Sequence, residues 1–161
     1  MRISIKYTVL LLSPFLFLPL AAQELMPDGS FEKSTPGKAP AHWQGTQGAN
    51  ALRIISRSPA RPHRFTQLSI TLPLKPGERY RLQYKAKGKN VAGFNWSFGK
   101  SWKLRFRPAP VSEKFEPFFF DFSAAAEEFS NGKYLIQLLA DDIADELVID
   151  EISLVSLAPK V

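Results

Sequence analysis

The residues with the clearest chemical potential in this chain are acids, cations and tryptophans on strand-like segments. Near the end, "ELVIDEISLVSL" (146–157) alternates apolar residues around two adjacent carboxylates, Asp150 and Glu151. Neighbouring residues of a strand point to opposite faces, so the two acids cannot share one role. Strand parity puts Asp150 in a mostly apolar row, where an unpaired carboxylate is costly to bury. We therefore expect Asp150 to meet a cation or several N–H donors, and Glu151 to lie at a wetter edge.

A second polar group lies on the strand predicted at 79–87. Arg81, Gln83 and Lys85 alternate there with apolar residues, so they share one face. Side chains of these types can hold the hydroxyl or carboxylate groups of a ligand. Gln137 lies inside an apolar segment, and a buried amide needs hydrogen-bond partners. We interpret these four residues as the floor of one groove.

Aromatic rings can stack on the apolar face of a ligand, and two tryptophans are candidates for such a platform. Trp96 is in phase with Phe94 and Phe98, which favours core packing and leaves the platform role open. Trp102 follows a predicted turn and could lie at a rim. Trp96 and Trp102 are therefore the candidate platforms.

Signatures of catalysis are missing from the sequence. The chain has two histidines, His42 and His63, both in proline-bearing segments, and no cysteine. It contains no Gly-x-Ser-x-Gly elbow, no His-Glu-x-x-His and no phosphate-binding glycine loop. Paired carboxylates could hydrolyse a glycoside, but the acidic segment 140–146 is predicted to be a solvated turn. The sequence predicts a protein that is not an enzyme.

The elements that must position these residues are strands. Short alternating segments recur at intervals of about ten residues, joined by turns that contain Pro or Gly, which is typical of a sandwich. Lys75-Pro76-Gly77-Glu78 suits a type II turn, and 123–130 could form one helical turn capped by Ser123. The fold prediction is all-β: one sandwich of two antiparallel sheets. Its strands are expected at 67–74, 79–87, 93–99, 102–106, 115–122, 133–140 and 146–157.

The first residues predict an export signal. A basic start, an apolar run and the small pair Ala21–Ala22 form the layout of a secretory signal peptide. We expect signal peptide 1–22, a single domain over 23–161, and a secreted or periplasmic location, with no transmembrane span in the mature chain. Removal of Arg2 and Lys6 with the signal lowers the formal net charge from +6 to +4, and this positive balance suits acidic glycans or anionic envelope surfaces. Nucleic acid is not an expected partner of an exported protein.

Three segments, taken in order, resemble carbohydrate-binding module families 4 and 9. They are "ELMPDGSFEKSTPGKAPAHWQG" (24–45), "ITLPLKPGERYRLQYKAKG" (70–88) and "LVIDEISLVSL" (147–157). The resemblance implies a jelly-roll, galactose-binding-domain-like fold with Trp43 in its core. The chain departs from the family pattern at several positions. Asp28, His42 and Glu151 stand where Asn, Gly and Asp are usual, and Lys85 and Phe115 stand where an aromatic residue and Trp are common.

The resemblance also implies a metal site. In such a jelly roll the first and last strands are neighbours, so Glu32 and Asp150 would approach one another, with Asp28 nearby. Relatives hold Ca²⁺ there, and carboxylate and backbone oxygens suit this hard cation. The alternative is that Asp150 accepts backbone hydrogen bonds and no metal binds.

Two function classes follow. The leading one is a non-catalytic carbohydrate-binding module that holds a poly- or oligosaccharide in a groove on one sheet. An acidic glycan would suit the cations Arg81 and Lys85. The alternative is a structural or protein-interaction sandwich of the cell envelope, whose partner would be an envelope protein.

Overall fold

Strands dominate the computed structural model, which describes residues 23–31, 39, 41–54, 63–108 and 111–157. A 3-10 turn at Ala126–Glu128 separates two of the strands. The strands are β1 (Gln44–Ile54), β2 (His63–Leu72), β3 (Arg79–Phe98), β4 (Leu104–Phe106), β5 (Glu116–Ser123), β6 (Phe129–Ser130) and β7 (Lys133–Leu157).

Two long antiparallel strands, β3 and β7, run through both sheets of the sandwich. Their register is irregular between Lys89 and Asn95, where the pair passes from one sheet to the other. The first sheet contains β5, the first part of β3 and the last part of β7, with a short parallel pairing of β1 to β7 at its side. The second sheet contains β4, the last part of β3, the first part of β7, β2 and the start of β1.

The core lies between the inward faces of the two sheets. Strand alternation turns Trp96 and Phe98 of the second sheet toward the first sheet. The Trp96 ring centroid lies 5.3 Å from that of Tyr84, and the Phe98 centroid lies 4.5 Å from that of Phe122. Such aromatic pairs contribute more than their buried area alone. Trp43, expected in the core, is buried there, 5% exposed.

The start of the domain is fastened to its last strand. Leu25 donates its backbone N–H to the carbonyl of Leu154 at 2.8 Å. The Glu24 carboxylate accepts the backbone N–H groups of Leu154 (2.9 Å) and Met26 (2.7 Å). Further along, Ile152 donates to the Gly29 carbonyl at 2.9 Å. These bonds confirm that the first and last segments are neighbours.

The fold prediction is confirmed, because the described residues form an all-β jelly-roll sandwich of two largely antiparallel sheets. The type II turn is supported by Gly77, whose φ is 79°. Some details differ from the expectation. The acidic segment 140–146 lies within β7 instead of forming a turn. Ser123 ends β5, and the 3-10 turn has Ala125 at its N-cap without a side-chain hydrogen bond.

The expected export signal, residues 1–22, lies outside the described residues. Within the described part of the chain, no helix has the length and apolar character needed to cross a membrane.

Candidate functional site

Arg81, Gln83 and Lys85 come together on the outward face of the first sheet, as the sequence predicts. With Phe119 and Glu151 they line an open groove of about 280 Å³. We call this surface the groove face. Phe119 lies on β5 directly across from Gln83, and its side chain is 63% exposed. The groove is thus a small, open surface that presents an aromatic ring among hydrogen-bonding groups, and its volume is just below the usual range of ligand pockets.

The exposure of Phe119 follows from the alternation of β5. Phe118 stacks on Tyr84 with ring centroids 5.5 Å apart, and Phe120 stacks on Phe106 at 4.7 Å. Because both neighbours turn inward, the strand must direct Phe119 outward. The parity was visible in the sequence, since Phe118, Phe120 and Phe122 share one side of "FEPFFFDF" and Phe119 lies on the other. The sequence prediction named Trp96 and Trp102 as platforms and did not include a phenylalanine.

The cations of the groove face are paired with carboxylates. Arg81 donates from Nε and from one terminal nitrogen to the two oxygens of Asp121, at 2.7 and 2.9 Å. This hydrogen bond raises the pKa of Arg81, and the guanidinium carbon also lies 4.8 Å from the Phe119 ring centroid. Lys85 Nζ lies 2.6 Å from Glu151 Oε2. The groove therefore offers donors and acceptors together, with nearly balanced charge.

Asp150 and Glu151, the adjacent acids of β7, lie at a β-bulge. Gln83 pairs with Ser153 and Lys85 pairs with Asp150, so two residues of β7 oppose the single residue between them on β3. One of the two is Glu151, whose φ is +53°. The left-handed conformation that this angle indicates is unusual for a residue other than Gly, Asn or Asp.

The bulge corrects the predicted orientation of Asp150. Strict alternation would put Asp150 in the same row as Ile152, but the extra residue changes the parity, and Ile149 and Ile152 are both in the core. Asp150 instead lies across from Lys85 on the outward face. It is still buried, at 5% exposure, and its Oδ1 accepts the backbone N–H of Glu151 at 2.7 Å. The sequence predicted a cation or N–H donors as partners of Asp150, and the Glu151 N–H is one such donor.

The remaining candidates for sugar contact do not join the groove face. Trp96 is 0% exposed, so its prediction as a platform is wrong, because a core ring cannot reach a surface ligand. Trp102 is 39% exposed, but it lies on the turn between β3 and β4, beside the second sheet. Gln137 lies on the outward side of the second sheet, where its Oε1 accepts from Ser97 Oγ at 3.3 Å. The prediction that Gln137 shares one groove with Arg81 is therefore also wrong.

Gln137 belongs to a row of polar residues across the second sheet. Ser69 and Ser97 flank it on the neighbouring strands, and all three are buried, Ser69 at 9% exposure. We call Ser69, Ser97 and Gln137 the polar row. Within the polar row, Ser97 and Gln137 hydrogen-bond to each other. Unlike the groove face, the row is shielded from solvent.

The residues expected to hold Ca²⁺ are only partly described. Glu32 lies outside the described residues. Asp28 lies on a turn that the Ile152–Gly29 hydrogen bond holds beside β7, and its buried Oδ2 has no hydrogen-bond partner among the residues that the structure describes. An orphaned carboxylate oxygen is compatible with a cation ligand. Among the described residues, no three acids, histidines or cysteines are grouped closely enough to hold a metal.

Comparisons with known proteins identify the architecture. No family model matches the chain, and no curated protein matches it either. Among solved structures, the enzymatically active domain of tailspike protein 4 from bacteriophage CBA120 is similar, with 11% identity and a TM-score of 0.58. The match covers 83% of this chain but 21% of that one, so the chain spans about a fifth of the tailspike domain's length.

Two further solved structures match over nearly their whole length. A Stig cyclase from Fischerella sp. TAU, solved with an indole compound, has 15% identity and a TM-score of 0.57, covering 87% of this chain and 100% of that one. The CBM22-1 xylan-binding domain of Paenibacillus barcinonensis Xyn10C has 13% identity and a TM-score of 0.51, covering 87% and 98%. At these identities the likeness shows the fold, which is that of a carbohydrate-binding-module-like sandwich.

Proposed function

We propose that this chain is a non-catalytic carbohydrate-binding module that holds a poly- or oligosaccharide on the groove face. The observation that carries the proposal is the Phe119 ring, 63% exposed, in an open groove lined by Arg81, Gln83 and Lys85. A large apolar ring left in water beside convergent polar groups is the usual composition of a small-molecule site. The fold shared with a xylan-binding domain supports the same class of ligand.

Each part of the groove has a role in this proposal. The ring of Phe119 would stack on the C–H face of a sugar, removing apolar area from both, and burial of this kind is worth about 1–2 kcal/mol for part of a Phe side chain. Gln83 would donate or accept hydrogen bonds to hydroxyl groups. Lys85 and Glu151 are already ion-paired. They would offer a donor and an acceptor to the sugar unit next to the one that stacks on Phe119.

The pairing of charges favours uncharged sugar units at the Phe119 end. Arg81 is engaged by both oxygens of Asp121, and Lys85 is engaged by Glu151. A carboxylate or sulfate group would have to compete with these internal partners for its cation. Hydroxyl groups can bind without breaking either pair, because an ion pair leaves donors and acceptors unused.

Titration calorimetry against soluble neutral polysaccharides tests the proposal. Phe119→Ala should weaken binding about tenfold, which corresponds to about 1.4 kcal/mol. Trp102→Ala is the matched control, because it removes an exposed ring from the other sheet and should leave the affinity unchanged. Loss of binding in Trp102→Ala with retention in Phe119→Ala would assign the sugar to the other side of the molecule.

The alternative function, interaction with a protein of the cell envelope, predicts a different result. If wild type binds no member of a broad glycan panel, while Phe119→Ala abolishes co-purification with one envelope protein, the sandwich is an interaction module.

The proposal that the chain is not an enzyme rests on the groove chemistry, since Asp121 and Glu151 are both held in ion pairs. Hydrolysis of a bound oligosaccharide by the purified protein would overturn it.

We also propose that the chain is exported and binds Ca²⁺. Export is supported by the layout of residues 1–22, and a mature protein that begins near Gln23 by mass spectrometry would establish it. The Ca²⁺ proposal is supported by the buried oxygen of Asp28, which lacks a hydrogen-bond partner within the described part of the chain, and by the family resemblance, which assigns Glu32 and Asp150 as further ligands.

A further inference from the structure

The outward-facing cations of β3 differ in their partners. Arg81 and Lys85 are each paired with a carboxylate. The next cation on the same face, Lys87, has its Nζ 4.9 Å from the centroid of the Phe115 ring. It forms no salt bridge with any of the residues that the structure describes. Phe115 is itself 45% exposed, so an aromatic ring and an available cation stand together at this end of the face.

A second cavity opens beside Lys87. It has a volume of about 180 Å³ and is lined by Lys87, Gly88, Lys89, Glu113 and Val148. Val148 lies directly across from Lys87 and provides an apolar floor. The backbone N–H of Gly88 donates to the Ser112 carbonyl at 2.7 Å, which holds the segment that carries Glu113 against β3.

The charges around this cavity favour an anion. Lys87 and Lys89 contribute two cations, and Glu113 contributes one carboxylate. Asp150 lies on the same outward face, but it is buried at 5% exposure, and its Oδ1 is engaged by the Glu151 N–H. Among the described lining residues the two lysines outnumber the single carboxylate of Glu113, whereas each cation of the groove around Phe119 has its own carboxylate.

From this difference we infer that the Lys87–Lys89 cavity binds an anionic substituent of the same glycan. The inference rests on the proposed sugar-binding function. Lys87 lies four residues beyond Gln83 on β3, a separation of about 13 Å along a strand, which exceeds a single sugar ring. The ligand is thus an oligosaccharide whose uncharged units cross Phe119 and whose acidic group reaches the two lysines. Glu113 accepts a neighbouring hydroxyl.

Carboxylate and sulfate share the chemistry that two lysines recognise, since each presents several anionic oxygens to ammonium donors. Two matched pairs of probes distinguish binding of a carboxylate from binding of a sulfate. Oligogalacturonate and its methyl ester differ in the uronate charge, and chondroitin sulfate and its desulfated form differ in the sulfate.

The test is the affinity ratio within each pair, measured at low ionic strength. Wild type should prefer the acidic member by about three- to tenfold, the range of one or two exposed charge contacts, and the preference should fall as salt is added. The double variant Lys87→Gln/Lys89→Gln should bring the ratio close to one without weakening the neutral member. Lys103→Gln/Lys133→Gln removes the same charge from exposed sites elsewhere and should leave the ratio as in wild type.

The outcomes separate the two proposals. A wild-type ratio near one in both pairs, or a preference that survives in Lys87→Gln/Lys89→Gln, overturns the anion site while neutral glycan binding stands. An equal loss in the Lys103→Gln/Lys133→Gln control shows that net charge alone drives the preference, and it overturns the site as well. If no glycan of either kind binds, both proposals fail.

Discussion

The outward faces of the two sheets are built by the same two strands, yet they present different surfaces. On the groove face, Phe119 is 63% exposed and polar side chains surround an open groove. On the polar row, Ser97 and Gln137 are 1% and 4% exposed and bond to each other. Polar residues in strand alternation therefore do not identify a ligand surface by themselves. Access to solvent and the presence of an exposed ring make the difference.

The two faces also use their polar groups differently. Pairs on the groove face are ionic and partly exposed, and such pairs contribute little to stability. The polar row is neutral and buried, so each of its hydrogen bonds stabilises the fold by preventing an unsatisfied group. Substitutions on the groove face should affect binding more than folding, and substitutions on the polar row should do the reverse. Asp150 is the exception, since it lies on the outward side of the first sheet and is buried.

The largest effect is expected at Asp150. Asp150→Ala should lower the free energy of unfolding by about 2 kcal/mol, because it removes the acceptor of the Glu151 N–H at the bulge and leaves buried polar groups unsatisfied. Urea denaturation measures the change. Asp150→Asn is the sharper comparison, because it keeps an acceptor oxygen and removes the charge. Nearly full stability in Asp150→Asn would favour hydrogen bonding alone, whereas a loss equal to that of Asp150→Ala would show that the negative charge is needed, for a bound cation or for an ion pair.

Calcium should produce the next largest effect. A ligand that binds only the folded state stabilises it, by about 1.4 kcal/mol at tenfold excess over its Kd. Wild type should therefore melt at a higher temperature in millimolar Ca²⁺ than in chelator. Asp28→Asn, which removes the charge beside the orphaned oxygen, should reduce this gain. Equal melting temperatures of wild type in chelator and in Ca²⁺ would exclude the metal.

Much of the fold could be predicted from the sequence, because alternation is a local property. The inward rows of β3 and β5, and the turn at Gly77, follow directly from period two and turn chemistry. The merging of predicted strands into β3 and β7 could not be predicted, because a strand that passes between sheets looks locally like two strands and a loop.

The candidate site was predicted less completely, for a similar reason. Arg81, Gln83 and Lys85 are on one strand, so their shared face follows from spacing alone. Gln137 was assigned to the same groove because sequence gives no information on which sheet a distant strand joins. The orientation of Asp150 depended on a bulge centred on Glu151, whose positive φ has no signal in a sequence that lacks glycine there.

A smaller effect is expected on the polar row. Ser97→Ala removes the donor to Gln137 Oε1 and leaves a buried amide oxygen without it, which should cost about 1 kcal/mol of stability. Glycan affinity should be unchanged. Thermal unfolding and calorimetry on the same variant measure both quantities. A loss of affinity at unchanged stability would mean that the polar row, and not the groove face, contacts the ligand.

The smallest effect is expected at Glu151, where two contributions oppose each other. Glu151→Ala loses the ion pair to Lys85, which joins side chains that are 32% and 45% exposed, and it keeps a non-glycine residue at φ +53°. We expect a loss of less than about 1 kcal/mol. Glu151→Gly loses the same ion pair but relieves the left-handed backbone, a gain of about 1 kcal/mol, so it should be at least as stable as wild type. If Glu151→Gly is instead the less stable of the two variants, the left-handed backbone at the bulge does not strain a non-glycine residue.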